Sequence, residues 1–237
     1  MAESDLFTNI KTVYSRMARA ALKAERDLTG VRLVAVTKQV TAEMVCAGVD
    51  CGLREFGESR VQVAGQKIPV VRAESVGADL VWHLIGPLQK NKSKKAVGLF
   101  DLIHSVDSVE LASAINSHAA EIGKVQRVLL EVKLSPEETK HGIGGEGVIG
   151  FLRAVQGMRH LKVEGLMTVP PYFDDPQEAR PYFRKLREIR DTAIASGFDL
   201  KDLSMGMSHD FEVAIEEGAT IVRVGTALFG ERKKEAA

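Results

Sequence analysis

The chain has 237 residues, 45% of them hydrophobic, and carries 32 basic against 32 acidic side chains. That balance removes any global electrostatic case for binding nucleic acid or an anionic membrane surface. Two cysteines, Cys46 and Cys51, are too few for a disulfide scaffold, and their spacing is not a zinc pattern. No run is long and apolar enough to span a bilayer, and no secretory leader opens the chain. A protein of a reducing cytoplasm is therefore expected.

The first predicted element is an amphipathic helix, with Leu6, Ile10, Val13, Met17, Ala21, Ala24 and Leu28 recurring at helical spacing. Strands and helices then alternate. Apolar, β-branched runs predict strands at 32–36, 54–57, 80–85, 102–105, 127–133, 162–168, 203–205 and 220–224. Helical patterns lie between them at 42–51, 59–72, 92–97, 108–123, 146–156, 176–196 and 210–217. Asp107 is the expected N-cap of the fourth of these, and Leu111, Ala112, Ile115 and Ala119 share its apolar face. Eight β units predict an α/β fold: a single (β/α)8 TIM-type barrel with an extra N-terminal helix, one domain over 1–237. A doubly wound open sheet is the alternative. With no apolar helix face left over, a monomer is expected.

In a barrel, chemistry collects at the C-terminal ends of the strands. Lys38 closes the first run, VRLVAVTK. An amine there is either a surface charge or, when desolvated, a nucleophile toward aldehydes. Glu58, Ser59 and Arg60 follow the second strand, His83 lies in the third, and His104 and Ser105 end the fourth. Met167 and Thr168 end the sixth. Ser208 follows the seventh strand, and Arg223-Val224-Gly225-Thr226 close the eighth. Loops after the last two barrel strands often build a phosphate site. Ser208, Gly225 and Thr226 supply hydroxyls, N–H groups and room for close approach; the plainer reading makes them turn residues. An amine plus a phosphate cradle is what pyridoxal phosphate requires. Arg223 is a charge inside a buried strand, so it needs either a carboxylate such as Glu58 or a ligand acceptor.

Other motifs weigh less. Gly142-Ile143-Gly144-Gly145-Glu146-Gly147 fits GxGxxG, with Glu164 further on, but the segment SPEETKHG parts it from the preceding strand. Lys90, Lys92, Lys94 and Lys95 read as a solvated helix start. His118, His141 and His160 read as surface residues, and no metal-ligand spacing is present.

The motifs AVTK, FGESRVQ, WHLIGPLQKNK, LIHSVDS, EETKHGIG, GLMTV and LSMGMSHDFEVAIEEGATIVRVGTALFGER cover nearly the whole chain. Through them it resembles the pyridoxal-phosphate homeostasis protein family, whose fold is similar to the N-terminal barrel of alanine racemase without the second domain. The resemblance implies that Lys38 holds pyridoxal 5'-phosphate as an internal aldimine and that Arg223 faces the pyridine nitrogen. It implies that Ser208, Gly225 and Thr226 hold the phosphate, with His83 and Met167 lining the pocket and Ser59 supplying a polar contact. The chain departs from the family pattern at Ser59, Lys133, Pro136 and His209. Serine keeps a hydrogen-bonding group, whereas Lys133 changes pocket polarity.

The tyrosines, Tyr14, Tyr172 and Tyr182, fall in none of these motifs, so the second acid–base group of a racemase is missing. The expected function is a non-catalytic carrier or regulator of vitamin B6, with apo pyridoxal-phosphate enzymes as partners. A slow amino-acid racemase or decarboxylase is the alternative. A barrel enzyme acting on a phosphorylated sugar or amine through Lys38 is what the strand-end pattern alone allows.

Overall fold

The structure is a computed structural model that describes residues 3–135 and 141–230. Pro136, residues 137–140 of the EETKHGIG motif and the closing residues 231–232 of the last motif lie outside the described residues.

The expected barrel is present. The strands are β1 (Arg32–Val36), β2 (Glu55–Glu58), β3 (Val81–Leu84), β4 (Leu102–Val106), β5 (Gln126–Lys133), β6 (Ile143–Gly144), β7 (Leu161–Met167), β8 (Asp202–Met207) and β9 (Ile221–Val224). All pairings are parallel, in the order β4-β3-β2-β1-β9-β8-β7-β5, and β4–β5 pairing closes the ring of eight. The ninth strand, β6, is a two-residue addition beside β5 that the sequence does not announce. It absorbs the GxGxxG motif into the loop after β5, which is not the strand–turn–helix context a dinucleotide site needs.

Helices α1 (Glu3–Lys23), α2 (Ala42–Asp50), α3 (Val61–Glu74), α4 (Ser93–Leu99), α5 (Val109–Glu121), α6 (Val148–Val155), α7 (Arg180–Ala195), α8 (Phe211–Glu216) and α9 (Thr226–Phe229) surround it. The α1 stripe of Leu6, Ile10, Val13 and Met17 is buried, as its periodicity requires. The N-cap of α5 is Ser108, not Asp107: its hydroxyl accepts the Leu111 N–H at 3.3 Å.

Two cores result. The larger lies between strands and helices; a smaller one inside the barrel joins Val34, Leu102, Leu129, Met167 and Ile221. Strands covered on both faces explain the nearly unbroken apolar runs in the sequence. Above and beside that inner cluster the barrel filling is polar, and the candidate site begins there.

Candidate functional site

Lys38 follows β1 by two residues. The Thr37 carbonyl accepts the Val40 N–H at 2.9 Å, closing a tight turn with Lys38 and Gln39 at its corner. Gln39 sits at φ 65°, a left-handed conformation that costs a residue with a Cβ. The same carbonyl accepts the Lys67 ammonium at 2.8 Å, and the Thr37 hydroxyl donates to Glu58 Oε1 at 2.7 Å. A buried cluster of Thr37, Glu58 and Lys67 thus clamps the turn from beneath. The Lys38 side chain is exposed in a cleft lined by Gln39, Glu58, Ser59, Arg60 and Val63. Ser59 is half-buried beside it. A Cβ at position 86 would clash with the Ser59 carbonyl, so Gly86 is what lets the loops after β2 and β3 approach.

The loops after β8 and β9 meet at Ser208. Its hydroxyl oxygen accepts the N–H groups of Gly225 at 3.1 Å and Ala227 at 3.3 Å. An oxygen that accepts twice directs its own proton outward, toward an acceptor such as a phosphate. Thr226 is exposed between those two residues, and its N–H opens the α9 turn. A Cβ at Gly225 would sit 3.4 Å from Val36 Cβ, so this loop packs against the end of β1, two residues before Lys38. Close by, Asp210 accepts the Met207 N–H at 2.6 Å. Burial pushes the Asp210 carboxyl up, against the opposing pull of that N–H and of Arg223.

Arg223 points into the barrel one layer above Ile221 and is 4% exposed. Its Nη1 donates to Ser204 Oγ at 2.5 Å and its Nη2 to the Thr168 carbonyl at 3.0 Å. Glu58 is not its partner; that carboxylate belongs to Lys67 at 2.5 Å. Desolvation lowers the Arg223 pKa to about 10, with Asp210 and Glu131 opposing from a distance. The guanidinium therefore stays charged at neutral pH while two neutral oxygens accept from it.

His83 lies deeper than a pocket wall. It is fully buried, its Nδ1 2.9 Å from His104 Nε2 and its Nε2 3.0 Å from Glu55 Oε2, near the N-terminal end of the barrel. Met167 is buried in the inner apolar cluster. Lys133 is half-buried at the end of β5, in register with Gly144. His209 is exposed, with Nε2 3.0 Å from the Asp174 carbonyl oxygen, and stacks on Tyr172 at 5.5 Å. One tyrosine thus does reach the C-terminal face, on the loop after β7, where sequence motifs did not place it.

The barrel brings together Lys38, Ser59, Arg223, Ser208, Gly225 and Thr226 along adjacent strands β2, β1, β9 and β8. Sequence reasoning missed the roles of Ser204 and Lys67. An inward-facing serine two residues past the start of a strand, and a lysine on the buried stripe of α3, were the signals available.

These residues fit pyridoxal phosphate on the structure's own terms: an amine, a hydroxyl whose proton faces outward beside a glycine loop, and a buried cation that, among the described residues, hydrogen-bonds two neutral oxygens. Comparison with known proteins agrees. The profile of the alanine racemase N-terminal domain matches residues 8–233. A pyridoxal phosphate homeostasis protein from Aquifex aeolicus is 45% identical over 94% of this chain and 97% of its own. The structure of PipY from Synechococcus elongatus with PLP bound superposes with a TM-score of 0.79 at 37% identity, over 92% of this chain and 100% of that one. An alanine racemase from Clostridium difficile shares the fold at a TM-score of 0.74 and 14% identity, over 98% of this chain but 58% of the enzyme. The chain therefore belongs to the alanine racemase N-terminal domain family and, within it, to the pyridoxal phosphate homeostasis proteins.

Proposed function

We propose that this protein binds pyridoxal 5'-phosphate at the C-terminal end of its barrel and serves vitamin B6 homeostasis by holding and releasing the cofactor. The observation that carries the reading is the convergence of Lys38, Arg223 and the Ser208–Gly225 loop pair on adjacent strands. The cofactor supplies a reactive aldehyde carbon and an electron-accepting ring when bound. Lys38 supplies the amine for that aldehyde, on a turn held from below by Lys67 and Glu58. The outward proton of Ser208, with Thr226, receives the phosphate. Arg223 faces the ring nitrogen as a donor; a cation there keeps that nitrogen unprotonated and makes the ring a weaker electron sink.

A carrier accounts for these features better than a racemase or decarboxylase. Tyr172 is 76% exposed and stacked on His209, and Tyr14 and Tyr182 sit on α1 and α7. None is held as an acid–base group over Lys38. The reading carries a cytoplasmic monomer that passes cofactor to apo enzymes. It draws on Cys46 and Cys51, which are not joined in a disulfide, and on described helices of which none is long and apolar enough to cross a membrane.

The test is a visible absorption spectrum of protein incubated with pyridoxal phosphate, before and after borohydride, with the reduced adduct mapped by mass. One adduct on Lys38, cofactor transfer to an apo enzyme, and no amino-acid turnover are expected. Turnover at enzyme-like rates would overturn the carrier reading. An adduct elsewhere would overturn the site.

A further inference from the structure

Polar groups inside the barrel line up at contact distance from Arg223 to the opposite face. Arg223 Nη1 donates to Ser204 Oγ at 2.5 Å. Ser204 Oγ is 2.9 Å from His104 Nδ1, His104 Nε2 is 2.9 Å from His83 Nδ1, and His83 Nε2 is 3.0 Å from Glu55 Oε2. The last contact has the length of a hydrogen bond but a poor angle. Arg223, Ser204, His104 and His83 are all buried.

Chemistry at the Glu55 end dictates where the protons lie. Arginine has donors only, so Ser204 accepts from Arg223, and its second lone pair and its own proton are both open to His104 Nδ1. Burial lowers the pKa of both histidines, so each is neutral and carries one proton. With Nδ1 accepting, His104 carries its proton on Nε2 and donates to His83 Nδ1. His83 then carries its proton on Nε2, facing Glu55. The Glu55 end selects this arrangement. Burial pushes the Glu55 carboxyl up, but His83, Arg32 and Arg127 outweigh it, and the ionised carboxylate can only accept. The acceptor-only carboxylate thus sets one polarity along the chain, and the donor-only guanidinium is compatible with it.

We propose that Ser204, His104, His83 and Glu55 form a one-way hydrogen-bond relay that orients Arg223 as a donor to the ring nitrogen of bound pyridoxal phosphate, with Glu55 as a positioning residue acting from the far end of the barrel. The ring arm rests on the function proposed above; the proton placement does not. Removing the acceptor at Glu55 leaves the His83 Nε2–H unsatisfied, which frees both imidazoles to change tautomer. A proton on His104 Nδ1 would then make Ser204 a double acceptor and turn its own proton away from the histidine. Arg32, 3.7 Å from Glu55 and paired to Asp202 at 2.6 Å, ties the relay to the charged groups of that face.

Nitrogen-15 NMR of the histidine rings in ligand-free protein reads the relay directly. His83 and His104 should both show a protonated Nε2 and a bare Nδ1. Glu55→Leu should mix the tautomers; Glu55→Gln, which keeps an acceptor, should restore them. In protein loaded with pyridoxal phosphate, Glu55→Leu should displace the visible band and its pH dependence, and Glu55→Gln should bring both back. Ser204→Ala serves if Glu55→Leu does not fold. It should leave His83 in its Nε2–H form, displace the band likewise, and weaken cofactor binding about tenfold or more. A protonated Nδ1 on either histidine of the wild-type protein overturns the relay. So does an unmoved band and affinity in Ser204→Ala, which a merely structural serine would give. If the wild-type protein takes up no pyridoxal phosphate at all, the proposed function fails while the NMR result still decides the proton placement.

Discussion

The Lys67 ammonium meets the Glu58 carboxylate at 2.5 Å, with the Lys67 side chain 8% and the Glu58 side chain 1% exposed, directly beneath the turn that carries Lys38. Removing one partner of such a pair leaves an uncompensated buried charge, which costs about 3–5 kcal/mol. Lys67→Met should therefore destabilise the fold by about that much. Glu58→Leu combined with Lys67→Met should cost clearly less than the two single changes summed, because neither charge is stranded. Urea melts of the four proteins measure the coupling. Additive losses would show that the pair does not act as a unit.

The Arg223 guanidinium gives a contrasting case, because two neutral oxygens accept from it and no carboxylate among the described residues is paired with it. Arg223→Met should leave the Thr168 carbonyl and Ser204 short of a donor, a loss of about 1–3 kcal/mol. That is smaller than the loss for Lys67→Met. The visible spectrum of bound cofactor should change in Arg223→Glu, where an acceptor replaces a donor opposite the ring nitrogen. An unchanged spectrum would remove Arg223 from the ring.

The barrel was legible in the sequence because its strands are buried on both faces and so read as apolar runs, as in Arg32–Val36 and Leu102–Val106. The strand-end positions of Lys38, Ser208 and Thr226 were legible because strand ends are. The partner of Arg223 was not. A side chain inside a closed barrel meets residues from strands far apart in sequence, and no periodicity says that β8 puts Ser204 beside it instead of Glu58 from β2. The depth of His83 was hidden for the same reason. β6 has two residues, too few to show an alternation. Both Asp107 and Ser108 are good N-cap types, and only the hydrogen bond to Leu111 distinguishes them.

Stability should begin to fall at mildly acidic pH. His83 and His104 have folded pKa values below the ordinary histidine value of 6.5, burial being the main cause in each. The unfolded chain then binds more protons than the folded one, so the stabilisation is fully present above that unfolded value and is lost as pH falls below it. The limiting slope is about 1.4 kcal/mol per pH unit for each histidine. Denaturant unfolding at pH 7.5, 6.5 and 5.5, taken as roughly spanning the ordinary histidine pKa, should show the decline, and His104→Gln should flatten it. A curve unaffected by His104→Gln would mean that this imidazole titrates normally.

Lys38→Ala should yield colourless protein after exposure to pyridoxal phosphate, with no borohydride-reducible adduct. Lys67 offers the sharpest competitor, since it lies beneath the same turn, but its amine is already engaged by Glu58 and the Thr37 carbonyl. An adduct on Lys67 or Lys133 in the wild-type protein would displace Lys38 from its role.

The phosphate loops separate a cradle from a cap. Ser208 does two jobs in the structure: its oxygen accepts the N–H groups of Gly225 and Ala227, and its proton faces away from them. Ser208→Ala should therefore reduce stability as well as affinity. Thr226 is exposed, so Thr226→Val should leave stability within about 0.5 kcal/mol of wild type. A hydrogen bond to a dianion is worth about 1.5–3 kcal/mol, so losing both hydroxyls should weaken pyridoxal phosphate binding by well over tenfold. Pyridoxal lacks the phosphate, and its weaker binding should change little in the double variant. Titrating each protein with both ligands, alongside urea melts, keeps the two roles apart. Equal losses for the two ligands would make Ser208 and Thr226 structural caps. A loss confined to the phosphorylated ligand, with Thr226→Val as stable as wild type, places the phosphate between the loops after β8 and β9.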